Sequence, residues 1–139
     1  MKKIQLILLL LIISGASYGQ KLMLFGGDNH KEYLGCLNCS EYSSESVWNE
    51  YSSYGNEYNS KSIWNDYGTY GNEYSKYCPW NEYASAPPVI VDEDGNFYGY
   101  FTLNRSQSKR TQNEFFIYVL ENYKLIRENF DEFVDELNL

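Results

Sequence analysis

Three cysteines, one histidine and a regularly spaced set of Trp-Asn-(Glu/Asp)-Tyr segments are the residues of this 139-residue chain that could do chemistry. In an oxidising compartment, three cysteines predict one disulfide and one thiol left over. The expected pair is Cys36–Cys39. Three apart on an ideal strand, their side chains point to opposite faces, so this bridge needs a turn or bulge. Cys39–Cys78 is the competing pairing. His30, Cys36, Cys39 and Cys78 match the ligand types of a Cys3His zinc site. A single Cys-x-x-Cys without a second paired motif is a weak metal signal, and no metal centre is expected of them. Asp92-Glu93-Asp94-Gly95-Asn96 clusters oxygen donors, which makes Asp92, Asp94 and Asn96 candidate calcium ligands. The EF-hand spacing and its closing glutamate are absent, and a hairpin turn also accounts for Asp-Gly-Asn.

For catalysis the inventory is thin. His30 lies in a polar turn, and no Ser-His-Asp set, Gly-x-Ser-x-Gly elbow or phosphate-cradling loop is present. Carboxylate pairs such as Glu50 with Glu82 have the chemistry of a hydrolase acid and base. Their recurrence in every unit of a repeat argues for a shared structural slot, so no catalytic residue is expected.

The repeat becomes visible when the middle of the chain is written in blocks of 16: residues 39–54, 55–70 and 71–86. Glu-Tyr recurs at 41–42, 57–58 and 73–74, and Trp-Asn-(Glu/Asp)-Tyr at 48–51, 64–67 and 80–83. All three tryptophans of the protein occupy one slot. A fixed period with matching slots marks a stacked unit too short to bury its own core. Ser46, Ser62 and Cys78 stand where an N-cap would, and Pro79 fits a first helical position. Each Trp-Asn segment is therefore expected to form one or two turns of α- or 3₁₀-helix. Tyr-Gly-Asn-Glu-Tyr is expected to be a turn. The tryptophans have two readings. In one, Trp48, Trp64 and Trp80 pack on each other or on the flanks. In the other, they join Asn49, Asn65 and Asn81 and the repeat tyrosines in an exposed platform suited to stacking on sugar rings.

Elements must hold this repeat in place, and the flanks supply them. Tyr33-Leu34-Gly35-Cys36-Leu37 aligns with Phe97-Tyr98-Gly99-Tyr100-Phe101, each after a polar turn and a short apolar stretch. Two β-hairpins bracketing the repeats are predicted, pairing into one small sheet. Pro87-Pro88 marks the exit from the repeats. Thr111 with Glu114 forms a capping-box pattern opening a helix to about Leu137. Phe116, Val119, Tyr123, Ile126, Phe130, Phe133 and Leu137 make one apolar face on it. That stripe covers the sheet in one reading and forms a homodimeric seam in the other. Arg105, Lys109 and Arg110 are expected in a solvated linker. The fold class is thus α+β: two hairpins, three turn/short-helix repeats and a C-terminal amphipathic helix over 111–139.

Residues 1–19 read as a cleavable signal peptide. Lys2 and Lys3 precede the apolar run Ile4 to Ile13, and small residues lead to Gly19 before Gln20. That run is shorter than the roughly 20 residues a membrane span needs. No second run of spanning length follows, so no transmembrane segment is expected in the mature chain. The remainder, with a repeat-containing domain over 20–110 and the helix, suits one domain with a modest core. The net charge is −8, which repels phosphate backbones and excludes nucleic acid as a partner. An aromatic content of 18% argues against disorder.

Tyr-Leu-Gly-Cys-Leu-Asn-Cys, the Ser-Ile-Trp-Asn-Asp-Tyr-Gly-Thr-Tyr-Gly-Asn-Glu-Tyr repeat and Ala-Ser-Ala-Pro-Pro-Val-Ile-Val also carry a resemblance. Residues 33 to about 104 resemble a group of short secreted bacterial proteins with a Leu-Gly-x-Leu strand. Tandem Ser-Ile-x-Asn-x-Tyr-Gly-x-Tyr-Gly-Ser-x-Tyr units and a Pro-Pro-containing strand follow it. Asn56, Asn72 and Cys78 depart from that pattern, where serine is usual. The resemblance implies an architecture and export, to periplasm or medium, and transfers no activity or site residue. The signal peptide's Gly-Gln end is similar to those of Bacteroidetes-type bacteria.

The expected function is that of an exported non-enzymatic module binding or attaching to an envelope polysaccharide or envelope protein. The alternatives are a calcium-stabilised or purely structural spacer, and a small hydrolase using repeat carboxylates.

Overall fold

The computed structural model describes residues 19–139; the expected signal peptide lies outside the described residues except for Gly19. Four short strands form a single antiparallel sheet: β1 (Leu22–Gly26), β2 (Glu32–Cys36), β3 (Val89–Asp92) and β4 (Phe97–Tyr100), in the order β2-β1-β3-β4. Each predicted hairpin is present, and β1 pairs with β3 to join them, with Leu24 opposite Ile90. Leu24, Leu34 and Ile90 are fully buried. Alternation along strands this short suffices to seat one sheet face on the core.

The hairpins are built alike. Gly35 and Gly99 both take a left-handed backbone, at φ of 108° and 105°. An added Cβ would sit 2.7 Å from Tyr54 Cβ at the first and 2.7 Å from Thr111 Cα at the second, so only glycine fits. One residue later the chain makes a parallel bridge to a returning segment, Cys36 to Ser46 and Tyr100 to Arg110. Arg110 is therefore part of the framework, with its Nε donating to Thr102 O at 2.7 Å. It is not the solvated linker residue expected.

Between the hairpins the chain forms a spiral of tight turns, and here the expected helical turns are absent. Backbone N–H groups bond back to carbonyls three residues earlier, from Ser43 to Ser40, Ser46 to Ser43, Asn49 to Ser46 and Ser52 to Asn49. A step of four, Asn56 to Ser52, then closes the coil, and the same sequence of bonds runs on to Ala84. Four steps of three and one of four make up the 16-residue spacing. Apart from Gly68, Cys78 and Ala84 the corners are Ser and Asn, whose side chains can accept a second bond from the N–H two residues on. Ser40 accepts from Tyr42, Ser46 from Trp48, Asn49 from Tyr51 and Asn56 from Tyr58. Such side-chain turns compete with helix formation at every third residue, so no helix propagates. Pro79 sits second in the turn from Cys78 to Asn81, where its fixed φ is favoured.

The C-terminal segment is helical in three pieces: α1 (Glu114–Glu121), α2 (Tyr123–Glu128) and α3 (Phe130–Leu137). The N-cap is Asn113, whose Oδ1 accepts from Phe116 N at 3.1 Å. Thr111, the expected cap, is buried and bonds to Tyr100 O through its N–H. The breaks fall at Asn122 and Asn129, where Nδ2 donates to the carbonyl four residues earlier, of Tyr118 and Leu125. A side chain competing for that carbonyl bends a helix.

Candidate functional site

The three indoles form a ladder inside the protein. Each tryptophan is 2% exposed. Trp48 and Trp64 have ring centroids 5.5 Å apart, and Trp64 and Trp80 are stacked at 5.3 Å. Trp64 and Trp80 Nε1 donate to a carbonyl one coil back, Val47 and Ile63, and Trp48 Nε1 donates to Leu37 O just after β2, all at 2.8–2.9 Å. The next carbonyl in that slot, Pro79 O, accepts instead from Leu103 N at 2.8 Å. The hairpin flanks thus close both ends of the ladder.

Its open face is covered by the helices rather than by the sheet. Trp48 packs on Phe130 and Phe133, Trp64 on Phe130, and Trp80 is parallel to Tyr123 at 4.8 Å. Phe116, Val119, Tyr123, Ile126, Phe133 and Leu137 are buried within the chain. The stripe thus packs on the indoles of its own chain.

Trp48, Trp64 and Trp80 therefore do not form an exposed platform. Asn49, Asn65 and Asn81 are also engaged internally: Nδ2 donates to Ser43, Asn59 and Ser75 carbonyls, and Oδ1 accepts from Tyr51, Tyr67 and Tyr83 N–H groups. What faces solvent is a double row of tyrosines. Tyr42, Tyr58 and Tyr74 occupy one slot of successive coils, and Tyr51, Tyr67 and Tyr83 another, all 83–95% exposed. The third tyrosine slot turns inward, with Tyr70 buried against β1 and Tyr54 packed on Tyr33. The sequence does carry a sign of this difference. The exposed tyrosines directly follow a carboxylate, whereas Tyr54 and Tyr70 directly precede a glycine.

Each exposed tyrosine thus brings an acid with it, and these acids meet two fates. Asp66 of the second coil and Glu73 of the third are taken by the helix. Tyr123 OH donates to Glu73 at 2.7 Å, Lys124 Nζ lies 3.7 Å from the same carboxylate, and Arg127 Nη1 lies 2.5 Å from Asp66. The hydrogen bond from Tyr123 holds the Glu73 carboxyl below its ordinary range, the Lys124 charge adding to it and partial burial opposing it.

Glu50 of the first coil and Glu57 of the second are not reached by these cations. A groove of about 500 Å³ runs between Tyr51, Tyr58 and the bend at Asn129, with Glu50, Glu57, Glu128, Asp131 and Glu132 on its walls. Trp64 and Phe130 also line it, and Arg127 is the one cation among its lining residues. A second groove of similar size continues from it along α3 past Glu41, Tyr42 and Asp135.

The cysteine chemistry is settled by geometry. Cys36 and Cys39 form the disulfide, with Cα atoms 5.5 Å apart. The bend after β2 brings the two side chains together. Cys78 is free, fully buried and in the serine slot, its sulfur accepting from Trp80 N. Burial pushes its thiol up to about 12. The Cys36–Cys39 bond removes the candidate Cys3His set. His30 instead places Nε2 3.1 Å from Pro87 O, tying the first hairpin turn to the exit of the spiral.

At the candidate calcium turn, Asp92 Oδ1 accepts from the N–H groups of Asp94 and Asn96, and Oδ2 from Asn96 Nδ2 and Tyr98 OH. Desolvation opposes ionisation of Asp92, yet the hydrogen bonds from Asn96, Tyr98 and Asp94 outweigh it and lower the carboxyl's pKa. This carboxylate is a turn cap, which explains Asp92, Asp94 and Asn96 without an ion. Among the described residues no group of three or more His, Cys, Asp or Glu side chains is placed to hold a metal.

No protein-family model, curated protein or solved structure matches the chain. Among the described residues no helix is long and apolar enough to cross a membrane.

Proposed function

We propose that the protein is an exported, non-enzymatic binding module, and that its contact surface is the double row of tyrosines on the turn spiral. The observation that carries this reading is the exposure of six tyrosine rings, at 83–95%, in two slots of a spiral whose indoles are wholly internal. Rigid aromatic side chains lose little conformational entropy on binding and offer large contact area with a polar tip. Exposed rings that serve no packing purpose are the feature a structural spacer would not need. The disulfide accords with an oxidising compartment, and the partner is an envelope polysaccharide or an envelope protein.

The test is co-sedimentation of the mature chain with insoluble cell envelopes. Tyr51→Ala, Tyr58→Ala and Tyr67→Ala combined should abolish retention while the thermal midpoint stays near that of the parent. Retention unchanged in a folded triple variant would overturn the proposal.

A further inference from the structure

The spiral shows, at Asp66 of its second coil and Glu73 of its third, what its carboxylate slots accept. Glu41, Glu57 and Glu73 occupy one slot of successive coils, and Glu50, Asp66 and Glu82 another. Where the C-terminal helix reaches them, Asp66 and Glu73 take a guanidinium, an ammonium and a phenol hydroxyl from Arg127, Lys124 and Tyr123. Those same two cations lie over an aromatic face, at 5.6 and 5.9 Å from the Tyr123 ring centroid. The slot thus supplies the carboxylate, and the cation it takes is also held over a ring of the helix itself.

At Glu50 of the first coil and Glu57 of the second the same slots open into the groove and hold no cation, only the hydroxyl of the adjoining Tyr51 or Tyr58. Glu50 and Glu57 lie on its walls beside Tyr51 and Tyr58, with Glu128, Asp131 and Glu132 opposite. Neither Glu50 nor Glu57 is in an ion pair with any described residue, although six lysines and arginines elsewhere are ion-paired. Arg127 cannot serve them, since it is bound to Asp66 and to Gly71 O. The groove thus presents negative charge and two aromatic faces, the combination that holds a Lys or Arg side chain by charge and by cation–π attraction.

We infer that this groove docks a lysine- or arginine-bearing segment of a partner protein, with Glu50 and Glu57 as the charge partners and Tyr51 and Tyr58 as the stacking faces. The inference rests on the reading of the tyrosine rows as a contact surface and names the partner that one part of them takes. A neutral glycan would use the rings without needing the carboxylates. A polyanion is repelled by the whole surface.

The experiment titrates the mature chain with a short oligolysine peptide and with the same peptide fully acetylated on its lysines. Trp64 lines the groove, so its fluorescence and calorimetry both report binding. A neutral oligosaccharide is titrated in parallel. Oligolysine should bind and acetylated peptide should not, with affinity falling as salt rises. Glu50→Gln with Glu57→Gln should weaken oligolysine binding by about tenfold or more, and Tyr51→Ala with Tyr58→Ala should weaken it comparably. Glu82→Gln with Glu93→Gln, which removes equal charge outside the groove, should leave it within about twofold.

Equal losses in the two glutamate pairs would show diffuse attraction to an acidic protein and would overturn the groove assignment. Binding of the oligosaccharide but not of oligolysine, with Glu50→Gln and Glu57→Gln neutral, would overturn it and leave the tyrosine surface standing. Loss of envelope retention in none of the tyrosine variants would remove the parent reading as well.

Discussion

Trp64 Nε1 donates to the carbonyl of Val47, 17 residues earlier, at 2.8 Å. Both groups are buried, and neither coil contains another partner for the other's polar atom in that place. The same relation links Trp80 to Ile63, so the bond is the rung that sets one coil on the next. Replacing Trp64 by Phe keeps an aromatic ring and removes the rung. An orphaned buried carbonyl costs about 1–3 kcal/mol. Urea unfolding of Trp64→Phe should show that loss, and Trp64→Ala a larger one of about 3–5 kcal/mol. A Phe variant within about 0.5 kcal/mol of the parent would mean that packing alone holds the ladder.

Cys78 is fully buried, with its thiol pushed up to about 12. The thiolate is the reactive form, so the native chain should resist iodoacetamide at neutral pH and become alkylated only on unfolding. Mass spectrometry of native and urea-treated samples reads this directly. Alkylation of the folded chain within minutes would contradict the burial. Cys78→Ser restores the residue that the first two coils carry and should keep the N–H acceptor for Trp80.

Acid sensitivity follows from Glu73. Its folded pKa is depressed, chiefly by the hydrogen bond from Tyr123. A depressed carboxyl contributes stability that is complete above its unfolded value, roughly 4.3, and lost as pH falls through its folded value. The parent should therefore lose stability on acidification through the window below about pH 4.3, and Glu73→Gln should show a shallower decline there. Thermal midpoints measured across that window test the point. Parallel profiles for parent and variant would deny Glu73 a share.

Calcium should leave the protein's thermal midpoint unchanged, because both oxygens of Asp92 are committed to Asp94, Asn96 and Tyr98. A ligand that binds only the folded state raises the midpoint, so scans with calcium and with a chelator should superimpose. A rise with calcium would revive the ion-stabilised spacer. Asp92→Asn keeps the oxygen that the two N–H groups need and loses the charge, and it should destabilise less than Asp92→Ala.

How much of this was legible beforehand differs from element to element. The hairpins were readable because alternating apolar residues, a polar turn and glycines are local signals, and Gly35 and Gly99 carry their conformation with them. The helical turns expected at Trp-Asn were misread from Ser46 and Pro79. Those residues suit a helix start, but they equally suit a β-turn. The deciding pattern was Ser or Asn at most corners of a 3-3-3-3-4 stepping, whose side chains bond the N–H two residues on and stop propagation.

The sequence by itself determined the 16-residue spacing, the two matching hairpins and the apolar stripe of the C-terminal segment. Each is written in residue type and separation along the chain. The choice of Cys36–Cys39 over Cys39–Cys78 was made by the bend after β2. Only the tertiary structure decided which aromatics are inside. Tryptophan and tyrosine both have large rings and recur at equal spacing. Their placement depends on which polar atom finds a partner: the indole N–H of Trp64 or Trp80 reaches a carbonyl one coil back, whereas the phenols of Tyr51 and Tyr58 stay at the surface beside the carboxylates of Glu50 and Glu57. It also decided which acids are spent and which remain. The helix bends at Asn122 and Asn129, and its cations reach Asp66 and Glu73 while Glu50 and Glu57 are left in the groove. That outcome depends on where a distant segment packs, which no local spacing records.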